Sequence, residues 1–238
     1  MTMAYLDRQT ATHGDGLSES ARSERAWSEF TASNRVKRLA LTEHEAVFFE
    51  GDRAERLFEI TDGAVMLYKL LPDGRRQVVE ILGEGSLFGL QASDLYDCSA
   101  ETLTPVRLRA IDRHDLEAIP DLLGHINQCL LGQLQTMHDH AVLLGRKSAF
   151  ERVTSFLMRF VPKRGEVGCA GPAKDGPDEK VVVLAMTRQE IADYLGLTIE
   201  TVSRVFSDLR RRGLIAAEKH DRVRILDICG LCKLTGTH

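Results

Sequence analysis

No cysteine precedes Cys98 in this chain of 238 residues, and the five present, Cys98, Cys129, Cys169, Cys229 and Cys232, are scattered and odd in number. That pattern argues against a disulfide scaffold and is the usage expected of reduced thiols in a cytoplasm. Long apolar runs are missing too. Val181 to Met186 is far too short to cross a bilayer, and no apolar stretch follows a basic N-terminus, so neither a membrane span nor a secretory signal is expected. The strand-rich region holds only His44 and no His-x-His pair, which leaves a cupin-type metalloenzyme, the competing function class, short of converging ligands. A strong charge of one sign is absent as well: the formal net charge is -4. On the whole chain that argues against a nucleic-acid partner. What is present, 43% hydrophobic and 28% charged residues, is an ordinary soluble mix with enough length for one large or two modest domains.

The chain divides by pattern. Residues 1–23 are polar and read as a flexible arm, with a short helix around Ser23 to Thr31. Residues 24–120 contain short apolar runs, such as Leu57 to Ile60, Val65 to Tyr68 and Val78 to Ile81, separated by turns at Asp62-Gly63, Pro72-Asp73-Gly74 and Gly83-Glu84-Gly85. Many short strands between glycine turns predict a jelly-roll β-barrel. In residues 121–146, Leu130, Leu134, Met137, Ala141 and Leu144 recur at steps of four and three, a heptad-like stripe on one long helix. It fits either packing on the chain's own barrel or a dimer seam. The domain that follows favours the seam. Residues 147–180 read as a connecting helix and hinge loop, and 181–238 as a compact second domain, so the fold class is α+β.

That second domain carries the informative motif. Thr187 followed by Glu190 is a capping box that starts a helix. Ile191, Ala192 and Leu195 form its inner face, Gly196 permits a tight left-handed turn, and Thr198 can cap a second helix buried through Val202, Val205 and Phe206. Small residue, glycine and valine at these intervals make the helix-turn-helix spacing. Glu200, Ser203 and Arg204 then share one exposed face. Arg204 can bond guanine twice, Glu200 can accept from cytosine, and Ser203 fits near an A·T pair. A Glu200–Arg204 salt bridge is the competing role for the same residues. Arg210, Arg211 and Arg212 end the helix. A hairpin after Gly213 reads as a wing, with Lys219, His220 and Arg222 at its tip placed for phosphates.

On these residues the chain resembles the CRP/FNR family of bacterial transcription regulators over nearly its whole length: a cyclic-nucleotide-binding-like β-roll, a long dimerisation helix and a winged helix-turn-helix. The pattern of Glu200, Ser203 and Arg204 is similar to the FixK and FNR branches. The cyclic-AMP branch places other residues where Ile199 and Ser203 stand here. The resemblance implies a homodimer that binds a TTGAT-N4-ATCAA-like palindrome in double-stranded DNA and recruits RNA polymerase. It implies activation of genes for microaerobic or anaerobic metabolism, nitrogen fixation or respiration. It assigns base contacts to Glu200, Ser203 and Arg204, and phosphate contacts to Thr187, Arg188, Gln189, Thr198 and Thr201. Arg211, Lys219 and Arg222 join the phosphate set from their positions. The turn at Pro72 to Arg76 and the 162–180 loop are the polymerase-facing candidates.

No cofactor is expected. Leu90 and Cys98 occupy the places of the glutamate and arginine that cyclic-nucleotide binders of the family use, so cyclic AMP is not expected. An FNR-type iron–sulfur cluster needs four thiolates, and only Cys98 resembles one of that family's ligands. Gating by a different small ligand, by haem on one histidine or by thiol redox is the alternative. His138 and His140 diverge on their helix and suggest no joint metal site. Cys229-Gly230-Leu231-Cys232 lacks two further zinc ligands. It reads as a tail of inert thiols, with redox control through Cys229 and Cys232 as the alternative. The charge divides unevenly along the chain. Residues 181–238 hold nine Lys/Arg against seven Asp/Glu, while 1–180 hold 22 against 28. The acidity belongs to the first part, and the local field at the motif is basic.

Overall fold

The computed structural model describes residues 19–161, 164, 169, 171, 178–219 and 221–236. Most of the expected arm, most of the 162–180 loop, His220 and His238 lie outside these. The described chain forms two compact units, residues up to 69 with 79–138, and residues 70–78 with 139 onward.

The first unit is the β-roll. One four-stranded sheet has the order β1-β8-β3-β6, from β1 (Lys37–Leu41), β3 (Arg56–Asp62), β6 (Leu87–Phe88) and β8 (Val106–Asp112). The other has the order β2-β7-β4-β5, from β2 (Ala46–Phe48), β4 (Val65–Leu70), β5 (Arg76–Leu82) and β7 (Ser99–Thr102). The pairings β1–β8, β3–β8, β3–β6, β2–β7 and β4–β7 are all antiparallel. Glycine makes the tight turns possible. Gly63 has φ 90°, and a Cβ there would overlap the Pro105 carbonyl oxygen.

Successive residues of a strand face opposite ways, and β3 buries both faces. Phe58 and Ile60 enter the roll with Phe48, Phe88, Tyr96 and Cys98, while Leu57 turns to a second core with Ile111. Helices close that second core: α1 (Glu19–Ala32), α2 (Arg113–Ala118) and the start of α3 (Leu123–Arg146) supply Trp27, Phe30, Leu116 and Ile126. Trp27 donates from Nε1 to Glu59 at 3.2 Å, and Arg109 donates to the same carboxylate at 3.0 Å, so this buried acid is paired. Residues 19–23, assigned to the arm on composition, are helical. Ser23 is buried, and its side chain sits where a Cβ on Gly124 would be.

The second unit contains the helix-turn-helix. Its sheet has the order β10-β11-β9, with β9 (Lys180–Val183), β10 (Ile215–Lys219) and β11 (Arg222–Ile225) antiparallel. The helices are α4 (Ala149–Met158), α5 (Arg188–Leu195), α6 (Ile199–Arg211) and α7 (Ile228–Lys233). A complete Ser148–Glu151 capping box starts α4. On sequence α4 belongs to the connector, but in the fold it packs on α6 and α7, and Val153, Phe156 and Leu157 are fully enclosed. The β4–β5 turn belongs to this unit as well. Arg76 donates from Nε to Asp193 of α5 at 2.9 Å, and Gln77 Nε2 donates to the Tyr194 carbonyl at 3.5 Å. Within the turn Arg75 pairs with Asp73.

Candidate nucleic-acid interface

Local chemistry builds the two helices of the motif as the residue spacing predicts. The Thr187 side chain accepts from the Glu190 N–H, and the Glu190 carboxylate accepts from the Thr187 N–H at 2.7 Å. Ile191, Ala192, Tyr194 and Leu195 are buried. Gly196 ends α5 at φ 60°, ψ 42°, the left-handed region in which a glycine carries no side-chain penalty. Thr198 caps α6 by accepting from the Thr201 N–H at 3.3 Å. Val202, Val205, Phe206 and Leu209 turn inward.

The opposite face of α6 is open. Glu200, Ser203, Arg204 and Ser207 are exposed, spaced one turn apart along one side. Among the described residues no ion pair joins Glu200 to Arg204, and Arg204 has no hydrogen-bond partner, so the competing intrahelical salt bridge is not formed. The Glu200 carboxyl is held below the usual carboxylate range, chiefly by its own backbone N–H, then by Thr198, with the Arg204 charge a smaller influence. The Ser207 hydroxyl donates to the Ser203 carbonyl at 2.9 Å.

The residues expected at phosphates have varied surroundings. Thr187 and Gln189 are exposed at the start of α5, with Gln189 Nε2 donating to Asp193 at 2.6 Å. Arg188 lies flat on Phe206, its guanidinium carbon 3.6 Å from the ring centroid, and burial lowers its pKa from the ordinary value. Together with Ser203, Ser207 and Arg210 it lines a cavity of about 220 Å³ between α6 and the sheet. Thr198 and Thr201 bring their hydroxyl oxygens to 3.1 Å of each other. Arg211 is exposed and pairs with Asp208 at 2.6 Å, while Arg212 turns away to cover the Phe150 ring at 4.7 Å. Arg222 is exposed at the wing, and Lys219 pairs with it through the backbone. The Lys219 side chain lies outside the described residues. The sequence reading missed the Arg188–Phe206 stack. Its partners are far apart in sequence, and no local spacing announces them.

On α3, Leu130, Leu134, Met137 and Ala141 are exposed and Leu144 is half-buried. Leu131 and Val142 widen the same apolar side and were not part of the expected stripe. His138 is exposed, whereas His140 is buried against Tyr194, so the two histidines do diverge. Cys229 and Cys232 form no disulfide and are half-buried on α7. No helix among the described residues is long and apolar enough to cross a membrane.

Residues 38–121 match the family described as "Cyclic nucleotide-binding domain", and residues 184–215 match "Bacterial regulatory proteins, crp family". The nitrogen fixation regulation protein FixK of Bradyrhizobium diazoefficiens is 40% identical over 195 residues, 80% of this chain and 78% of its own. The chain belongs to the CRP/FNR family. Within that family it is FixK-like. The transcriptional activatory protein AadR of Rhodopseudomonas palustris is 37% identical over 187 residues, covering 77% of this chain and 74% of its own. The solved structure of FixK2 from Bradyrhizobium japonicum is similar at a TM-score of 0.71 and 30% identity, over 84% of this chain and 96% of that one. In CRP/FNR terms, the β-roll is the cyclic-nucleotide-binding-like domain, and α5 to β11 form the winged helix-turn-helix.

Proposed function

We propose that this FixK-like protein is a homodimeric transcription activator, not an enzyme. It reads a TTGAT-N4-ATCAA-like palindrome through Glu200, Ser203 and Arg204, recruits RNA polymerase, and controls genes of microaerobic or anaerobic metabolism. The observation that carries this reading is the free face of α6. Its three base-reading side chains are exposed, while Val202, Val205, Phe206 and Leu209 on the opposite side are buried. A guanidinium with no hydrogen-bond or ion-pair partner among the described residues is available for the two acceptors of guanine. Capping, stacking and burial hold the helix that presents it.

The exposed apolar side of α3 supports the dimer. Leu131, Leu134, Met137 and Val142 are about half exposed or more, on a helix of 24 residues. A monomer gains nothing from such a stripe, whereas a paired helix buries it at roughly 25 cal/mol per Å². A homodimer carries two copies of α6, as a palindrome whose half-sites lie one DNA turn, about 34 Å, apart requires.

The roll supports action without a bound cofactor. Phe48 and Tyr96 stack at 3.7 Å, with Phe58 and Phe88 beside them, so aromatic side chains fill its interior. Cys98, in the place of the phosphate-binding arginine, is buried, and burial pushes its thiol up to about 12. A neutral thiol offers a cyclic phosphate no counter-charge. Cys129, the other cysteine of this unit, is likewise pushed up to about 11, mainly by burial. Neither is the ready thiolate that an iron–sulfur cluster requires.

The test is fluorescence anisotropy of the purified full-length chain on the palindrome and on a scrambled duplex, at fixed salt and without added ligand. Binding at least about 10³-fold tighter to the palindrome is expected. Equal affinity for both duplexes overturns the reading.

A further inference from the structure

DNA recognition leaves unused a group of side chains at the end of the second unit. Cys229 and Cys232 lie one turn apart on α7, and Asp178 organises the start of that helix. The Ile228 N–H donates to the Asp178 carbonyl at 2.9 Å, and the Cys229 N–H to its carboxylate at 2.7 Å. The other carboxylate oxygen accepts from Arg164 at 2.7 Å. The same guanidinium nitrogen lies 3.0 Å from the Cys229 sulfur. Arg164 and Asp178 keep side-chain exposures of only 19% and 17%, so the Cys229 side chain meets both the guanidinium and the carboxylate in a largely sheltered place. Cys229 itself is half-buried and reachable.

The remaining thiols are placed differently. Burial dominates at Cys98 and Cys129 and keeps both protonated at neutral pH. Cys232 is raised as well, first by burial and then by the nearby Cys169 and Cys229, so these three sulfurs are within electrostatic reach of one another. Among the described residues, they do not gather with a carboxylate into a three-ligand set within 4.8 Å, which argues for thiol chemistry over a metal.

We propose that Cys229 is a hydroperoxide-reactive thiol, oriented by Arg164 and Asp178, with Cys232 as its resolving partner. The thiolate is the nucleophile, and a guanidinium is a donor that a thiolate accepts from. The Cys229 sulfur attacks one peroxide oxygen; an S–O bond forms and the O–O bond breaks. The departing oxygen takes up the proton the thiol released and leaves as water or an alcohol. The sulfur is oxidised by two electrons to a sulfenic acid, and the peroxide is reduced. The Cys232 sulfur then attacks that sulfur, an S–S bond forms, and hydroxide leaves to become water with the Cys232 proton. Helical neighbours three apart have Cβ atoms about 5–6 Å apart, and a disulfide needs about 3.5–4.5 Å. The six-residue α7 must therefore tighten by one local adjustment. This chemistry stands whether or not the chain binds DNA.

The experiment treats the full-length protein with equimolar hydrogen peroxide at pH 7 and follows each thiol by alkylation and peptide mass mapping. Cys229 should be lost first, and a Cys229–Cys232 disulfide should form. In Cys232→Ser the reaction should stop at a sulfenic acid on Cys229 that dimedone traps. Arg164→Gln, compared at matched thermal stability with Arg164→Lys, should slow Cys229 oxidation about tenfold, and the lysine should restore part of it. Oxidation of Cys229 no faster than Cys98 or Cys129, a disulfide to Cys169 instead, or equal rates in both Arg164 variants overturns the proposal.

Discussion

His140 of α3 stacks on Tyr194 of α5, ring centroids 4.2 Å apart and 15° from parallel. Among the described residues neither His140 ring nitrogen has a hydrogen-bond partner. Arg159 donates to the Tyr194 hydroxyl, its guanidinium carbon 5.4 Å from the ring centroid, so a cation lies beside the stack. Burial first, then the charges of Arg159 and Arg152, lower the His140 pKa to about 4.

That placement sets a pH dependence. The folded state keeps this imidazole neutral, while an unfolded chain protonates it near 6.5. Between about 6.5 and 4 the unfolded state binds the extra proton, so stability falls as pH falls through this window and is fully present above it. The loss is on the order of 2–3 kcal/mol. Denaturant melts from pH 7.5 to 4 measure it. His140→Phe removes the titrating group and keeps the stack, so its melts should lack this part of the acid slope. An unchanged slope contradicts the assignment.

Two glycines separate backbone strain from collision. At Gly196 a Cβ meets only ordinary contacts, 3.5 Å from Arg152 and Leu144, so Gly196→Ala should cost about 1–2 kcal/mol for the left-handed backbone alone. At Gly63 the Cβ would also overlap the Pro105 carbonyl oxygen, so Gly63→Ala should cost distinctly more. Urea titrations of both variants rank them, and a smaller loss at Gly63 contradicts the turn geometry.

The apolar side of α3 predicts assembly. Leu134→Glu with Met137→Glu places charge on positions about half exposed, so the fold should survive by circular dichroism. Sedimentation should show a monomer, and affinity for the palindrome should fall more than tenfold because two half-sites no longer bind together. A double variant that remains dimeric refutes the assignment of this face.

The arginines divide by role. Arg211 is exposed and, among the described residues, pairs with Asp208 alone, so Arg211→Ala should weaken all DNA sequences alike and reduce the salt slope by about 0.9 per lost phosphate contact. Arg188→Ala should also lower thermal stability, because its guanidinium covers Phe206. Anisotropy across a salt series, paired with melting curves, distinguishes the two variants.

What the sequence revealed and what it hid follow from distance along the chain. Thr187, Glu190, Gly196 and Thr198 act on neighbours within one turn, so their spacing alone predicts α5, the turn and α6. The alternation of β3 foretells burial but not that Leu57 and Phe58 enter different cores, because α1 supplies the second core from far upstream. The role of α4 was hidden because its apolar residues read equally as a connector, and only its packing on α6 and α7 makes it a core helix. Arg188 on Phe206, Arg76 on Asp193 and Arg164 on Cys229 are contacts between remote residues, and no local pattern marks them.

The central claim is that the free face of α6 reads base pairs through Arg204. Its most direct test measures the affinity of Arg204→Ala for the palindrome and for a panel of single-base variants at one salt concentration. The account predicts a loss of about 1–3 kcal/mol on the palindrome, with discrimination erased at one base pair per half-site and kept at the others. Unchanged affinity with unchanged discrimination at every position contradicts it.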